Sequence, residues 1–483
     1  MANFPKSTSV YTNPLIERYS SNEMSKIFSS DYKFSTWRKL WLALAESEKD
    51  LGIPITDEQI EEMKANIFSI DYEKANDYER KMRHDVMAHV HTYGDICPKA
   101  KPIIHLGATS AFVGDNTDLI QIKEATILII RRLRKVMEAL KDFALKQQST
   151  ATLGFTHYQP AQLTTIGKRA CLWLYDASMD LEELVAFVTG LPFRGAKGTT
   201  GTQASYLKLF NGNHEKVKQL DIMVAKKMGF ERLIPVTGQT YTRKIDARIT
   251  ALLSGLAQTL HKIANDIRLL QNLKEIEEPF GTKQIGSSAM AYKRNPMRSE
   301  RLTSLSRLII SLAQSPAMTA AEQWFERTLD DSANKRISIP ESFLAADACC
   351  ILAHDICNGL VVYPKVIEKH ILQELPFMAT ENILMEGVQK GGNRQELHER
   401  IRVHSQEAAK KVKMEGGEND LLERIVSDPS FGITRKDLDR ILKVSEFVGR
   451  APEQIVEFIE ERIEPLLQES AHFGSASAAS VKV

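Results

Sequence analysis

Cysteine is scarce, with five in 483 residues. A chain of this length with so few does not carry a disulfide framework. No Cys-x-x-Cys pair occurs, so the usual zinc spacing is missing and no metal is expected. Cys349 and Cys350 are adjacent in an apolar run and read as buried filler. Net charge is missing as well: 63 basic residues face 62 acidic ones, leaving +1. That balance argues against a general polyanion surface, and so against a nucleic-acid partner, but leaves room for a small cationic pocket. No run of about eighteen uncharged apolar residues occurs, so neither a spanning helix nor a membrane partner is expected. The N-terminal "MANFPKSTSVYTNPLIERYS" has no apolar signal core. A soluble, cytoplasmic protein is the expectation.

Proline is missing from two long stretches, between Pro102 and Pro160 and between Pro235 and Pro279. Both carry apolar residues every three or four positions, which marks amphipathic helices. The first stripe is Leu119, Ile122, Ile129, Leu133, Val136, Leu140 and Ala144, with Asp118 as a candidate cap. The second runs from Ile245 through Ile249, Leu252, Leu256, Leu260, Ile263, Ile267 and Leu270 to Leu273. Such a helix is roughly 40 Å long. Residues 162–189, 299–328 and 341–362 read as three more helices. Five stripes must cover one another, so the fold class is all-α and the architecture a long bundle. Apolar residues make up 43% of the chain, enough for a large core.

Residues 1–110 form a smaller N-terminal helical unit. Its helix "FSTWRKLWLALAESEKDLG" puts Trp37, Leu40 and Trp41 on one side and stops at Gly52. Residues 111–363 are the central bundle, and 364–483 a more charged C-terminal unit. The Ala/Ser-rich tail from Ser470 is expected to fray. The one expected β feature is "LPFRGAKGTTGT", read as a loop or small hairpin.

Four segments break the helical rhythm. They are "RHDVMAHVH" (Arg83, His84, Asp85, His89, His91), "HLGATSAFVGDNTD" (Thr109, Ser110), "GFTHYQPAQ" (Thr156, His157) and "QIGSSAMAYKRNPMRSE". On composition they are four separate surface loops or one converged site. From Lys283 to Arg301 there are five cations and a single anion, Glu300. Gly286 precedes Ser287 and Ser288, whose backbone N–H groups add donors. Such a set suits a dicarboxylate or phosphate, although a charge run is also a common solvated face. Pro296 fits the first turn of a helix.

"GSSAMAYKRNP" resembles the loop shared by the fumarase/aspartase superfamily: Gly286, Ser287, Ser288, Met290, Lys293, Asn295 and Pro296 match in order. Ala291 departs from the family's usual proline and removes no reacting group. With "THYQPAQLTTIGKRA", "KGTTGTQAS", "TGQTY" and "WFERTLDDSANKR", the set resembles the eukaryotic-type adenylosuccinate lyase family, from "NPLIERYS" to "GGENDLLERI". The resemblance implies a homotetramer around a twenty-helix core, with each site built from three chains. It implies nucleotide substrates, no cofactor and no metal, and a reversible β-elimination that releases fumarate.

The same resemblance implies roles for residues. Ser287 is the base, and Lys293 stabilises its alkoxide and holds a substrate carboxylate. His157 is the acid, Glu300 its carboxylate partner, and His84 a second active-site histidine. Thr109, Ser110, Gln239 and Asn295 match donors near the succinyl group. Arg18, Tyr19, Arg327, Ser332 and Arg336 match phosphate and ribose contacts, and Arg301 matches a substrate-side arginine. Arg83 and Asp85 flank His84 as contacts or scaffold, while His89 and His91 read as structural. Thr156 belongs to the same block as His157. The rival readings are another fumarate-releasing lyase of the superfamily, or a non-catalytic homologue that binds nucleotide or is structural.

Overall fold

The computed structural model describes residues 10–281 and 283–479. Five helices form its long bundle: Ser110–Lys146, Ile166–Gly190, Lys244–Asn272, Met297–Leu312 and Asp331–Asn358. The first apolar stripe is buried along its whole length, from Leu119 to Ala144. The second is buried at Ile245, Ile249, Leu256, Leu260, Ile263, Ile267 and Leu270; Leu252 is partly buried against the core, and Leu253 beside it is fully buried. Fully burying each such side chain contributes about 1.5–3 kcal/mol, so the stripes dominate the bundle's stability.

Asp331–Asn358 is long and apolar enough to cross a membrane by length and composition, but 78% of that window is buried inside the protein. Ala345, Ala346, Ala348, Cys349 and Cys350 are small and buried, which lets the Ser110–Lys146 and Met297–Leu312 helices pack closely against it. Within this packing, Arg132 Nε meets Asp347 Oδ1 at 3.3 Å. Asp347 Oδ2 also accepts from Ser21 N at 2.7 Å, tying the N-terminal segment to the bundle.

Five local expectations are corrected. The helix assigned to 162–189 begins only at Ile166, because residues before it form strand β2 (Gln159–Thr165), antiparallel to β1 (Ala151–Thr156). The hairpin therefore lies here. "LPFRGAKGTTGT" contributes only the bridge Phe193–Leu233 and is otherwise irregular. The 299–328 segment ends its first helix at Leu312, resumes as Gln314–Ala321, and then leaves helical geometry. Asp118 is not a cap: the helix starts at Ser110, and Asp118 lies two turns inside it, bonded to Lys335 Nζ at 2.5 Å. The tail is held rather than frayed as far as Ser477, whose carbonyl accepts from Arg132 Nη1 at 2.6 Å. Phe473 O accepts from Arg131 Nε in the same way, and Ala476 is buried.

The N-terminal helix Ser30–Asp50 buries Trp37, Leu40 and Trp41, and the chain turns at Gly52 with φ 97°. A positive φ of this kind is cheap only for glycine. A second, smaller core gathers Ile383, Leu397, Ile401, Leu421, Ile425 and Leu438. The chain then returns, and Ile455, Ile459 and Ile463 join the main core.

Candidate active site

A cavity of about 370 Å³ opens where the N-terminal unit meets the bundle. It is lined by Arg83, His84, Asp85, Ser110, Arg327, Ser332 and Arg336, seven of the residues singled out in the sequence. Local structure explains their presentation. Arg83 adopts a left-handed conformation, φ 56°, and ends one helix. His84 then caps the next, Asp85–Ile96, by accepting Met87 N on Nδ1 at 3.2 Å. Arg336 reaches across from the Asp331–Asn358 helix and donates to Asp85 Oδ2 at 3.1 Å. His89, one turn further along, is buried and stacked on Phe34 at 3.8 Å. His91 stacks on Tyr78 at 5.3 Å.

Beside the cavity, three predicted residues form one chain. Arg327 Nη1 donates to Gln239 Oε1 at 3.0 Å, and Gln239 Nε2 donates to Thr109 Oγ1 at 3.1 Å. Gln239 thus fixes a hydroxyl and a guanidinium with one amide.

Lys33, Asp115 and Lys335, not singled out in the sequence, also line the cavity, as does Asp118, read there only as a helix cap. Lys335 pairs with Asp118 and, at 3.4 Å, with Asp115. Arg243 pairs with Asp115 at 3.1 Å and with Asp331 at 2.5 Å. Burial alone raises the Asp115 carboxyl, but Arg243 and Lys335 outweigh it and hold it down at about 2. The cavity floor is therefore a fixed lattice of charges. Asp115 and Asp118 stand three residues apart in the polar segment "HLGATSAFVGDNTD", at the start of the long helix.

Lys293, Asn295 and Glu300 line a different cavity, against Asn265, Arg268 and Gln271. Ser287 is half-buried in the loop before them, and its Oγ accepts from Met290 N at 3.1 Å. Asn295 Nδ2 donates to Gly286 O at 2.5 Å, folding the loop back on itself. Thr156 and His157 sit at the exposed tip of the β1–β2 hairpin, where His157 and Tyr158 both take positive φ, 52° and 57°. Arg18 and Arg301 both face the Tyr19 ring, at 6.0 and 5.8 Å. One chain therefore gathers Arg83, Arg327 and Arg336 around His84, while Arg18 lies outside that lining. The chain presents His157 on the hairpin and Ser287 and Lys293 in the loop, as separate groups.

Comparison with known proteins finds relatives along almost the whole chain. A family model described as "Lyase" matches residues 9–311, and one described as "Adenylosuccinate lyase C-terminus" matches 376–458. The chain is 56% identical over 461 residues to adenylosuccinate lyase of Saccharomyces cerevisiae, covering 95% of this chain and 96% of that one. It is 54% identical to the Schizosaccharomyces pombe adenylosuccinate lyase, covering 95% of each. The fold is shared with a 3-carboxy-cis,cis-muconate lactonizing enzyme from Pseudomonas putida, with TM-score 0.80 and 20% identity over 96% of this chain and 100% of that one. A fumarate lyase from Mesorhizobium sp. BNC1 superposes with TM-score 0.77 at 21% identity, over 95% and 99% of the two chains. The chain belongs to the adenylosuccinate lyase family of the fumarase/aspartase superfamily, and it is a lyase.

Proposed function

We propose that this lyase eliminates fumarate reversibly from adenylosuccinate, giving AMP, and from succinyl-aminoimidazole-carboxamide ribotide, giving aminoimidazole-carboxamide ribotide. The observation that carries the reading is the cavity in which His84 and Asp85 face Arg327, Ser332 and Arg336. Guanidinium groups grip phosphate through paired donors, and a lyase of free amino acids has no use for them there.

Ser287 removes the proton β to the departing nitrogen. The carbanion's charge moves into the adjacent carboxylate, where fixed donors stabilise it. Lys293 lowers the cost of the serine alkoxide and holds that carboxylate. His157 protonates the departing nitrogen, a task suited to imidazole near neutral pH, and Glu300 orients it. His84 and its neighbours hold the nucleotide end. Thr109, Ser110, Gln239 and Asn295 hold the succinyl end.

Because these groups lie apart within one chain, the working unit is a homotetramer in which three chains complete each site. The units 1–110, 111–363 and 364–483 are its parts, the helix starts at Ser110 and Pro364 supporting those divisions. Loss of adenylosuccinate absorbance with purified protein tests the activity. Ser287→Ala keeps nucleotide binding while turnover falls about 10²–10⁴-fold. Full turnover by that variant removes Ser287 from the base role, and no turnover by the unaltered protein removes the function.

A further inference from the structure

Three carboxylates in the short run "KEIEEPF" lie between the Lys244–Asn272 helix and the loop bearing Ser287. Each reaches a different element of the chain that carries a proposed site residue. Glu275 is 1% exposed. Its Oε2 accepts from Thr152 Oγ1 of β1 at 3.3 Å, in the strand that leads to His157. Its Oε1 meets His370 Nδ1, from the Pro364–Met378 helix, at 2.8 Å. Arg169 supports the same strand by donating to Leu153 O at 2.6 Å.

Glu277 accepts from Tyr363 Oη at 2.8 Å and pairs with Arg294, beside Lys293, at 3.4 Å. Glu278 accepts Arg298 N at 2.9 Å, and Ser299 N and Oγ at 2.8 and 2.7 Å. It thereby caps the helix that carries Glu300, where the free N–H groups and the helix dipole favour an anion. The run itself is anchored. β3 (Ile276–Glu277) pairs with β4 (Val361–Val362), and Glu275 O accepts from Tyr363 N at 2.9 Å.

We propose that Glu275 is a positioning residue for the elimination: through Thr152 it holds the His157 hairpin, while Glu277 and Glu278 from the same short run hold the Lys293 loop and the Glu300 helix. The hairpin and the loop share one anchor. A buried carboxylate with a hydroxyl and an imidazole on its two oxygens fixes direction as well as distance, which a salt bridge in solvent does not. His370 closes the anchor from the C-terminal unit and keeps the carboxylate from swinging away from Thr152. The inference rests on the roles given to His157 and Ser287 above.

The test uses the full-length assembled enzyme and adenylosuccinate turnover, with His157→Gln measured in parallel. Glu275→Gln keeps the volume but replaces one acceptor oxygen with a donor. It lowers kcat about tenfold or more while KM stays within about twofold, because the acid and base lose their aim while the nucleotide grip remains. Thr152→Val lowers kcat in the same direction, and its effect disappears in the Glu275→Gln background because both break one link. Unaltered kcat in Glu275→Gln overturns the proposal. So does a loss of activity that only tracks loss of assembled mass. If Glu275→Gln does not fold, Thr152→Val and His370→Asn carry the test, and unaltered kcat in both overturns it. Normal turnover by His157→Gln defeats the site reading itself, and this inference with it. An inactive His157→Gln beside a fully active Glu275→Gln defeats this inference alone.

Discussion

Arg336 donates to Asp85 at 3.1 Å, joining two residues 251 positions apart across the mouth of the cavity. Under the proposed function the same guanidinium also meets the substrate phosphate. Arg336→Lys removes the planar fork but keeps the charge. It is expected to raise KM for adenylosuccinate about tenfold with a smaller change in kcat, since one charge-assisted hydrogen bond contributes roughly that much. Steady-state kinetics at fixed ionic strength checks it, and an unchanged KM places the phosphate elsewhere.

Gln239 serves Thr109 and Arg327 with one amide group. Gln239→Leu leaves both partners without their bond at about the same volume. Unpaired polar groups in a half-closed site cost about 1–3 kcal/mol, so apparent affinity for the substrate falls about tenfold to a hundredfold. Titration calorimetry with AMP and fumarate, separately and together, measures this. Wild-type affinity in all three experiments rejects the relay.

A Cβ at Gly286 would sit 2.0 Å from the carbonyl oxygen of Lys293, a backbone atom with no flexible end to give way. Gly286→Ala therefore pushes the two limbs of the loop apart. Turnover is expected to drop about a hundredfold from the misplacement alone. Circular dichroism and assembled mass should not change, because the bundle helices do not depend on this contact. Near-normal kcat would show that the loop is not held in this closed-up form during the reaction.

Burial pushes His89 and His105 down to about 4. His105 is also held neutral by geometry, since its Nδ1 accepts from Trp41 Nε1 at 2.9 Å. A base whose pKa is depressed on folding stabilises the fold above its unfolded pKa, near 6.5, because the unfolded chain binds the proton first. That stability is lost as pH falls from about 6.5 towards 4. At pH 5 the loss is about 2 kcal/mol for each histidine. Urea unfolding at pH 7 and pH 5 should show it, and His105→Asn should flatten part of the slope. A pH-independent midpoint across this window contradicts it.

Much of the bundle was legible in the sequence because an apolar repeat is a local property. The stripe from Leu119 to Ala144 fixes one buried face whatever packs on it. The ends of the elements were less legible. Residues 162–165 carry an apolar–polar pattern compatible with either state, and pairing with β1 decided for strand. Two consecutive positive-φ residues, His157 and Tyr158, make that turn, and neither advertises it as Asn-Gly does.

The site divides the same way. Composition marked the polar segments, and resemblance marked Ser287, His157 and the cations. Neither gave partners for Lys335, Asp118, Arg243 or Glu275, because a charged residue reads as a solvated face until its partner is known. Those partners lie 217 residues away for Lys335 and Asp118, and 123 away for Glu275 and Thr152.

By itself the sequence determined the long helices, their mutual burial and the chemical kinds of group available for an elimination, since each depends on neighbours within a few turns. Only the tertiary structure decided which carboxylate neutralises which cation and what holds the hairpin and the loop. Coulomb energies and hydrogen bonds fall off over a few ångströms of space, and chain distance does not report that separation.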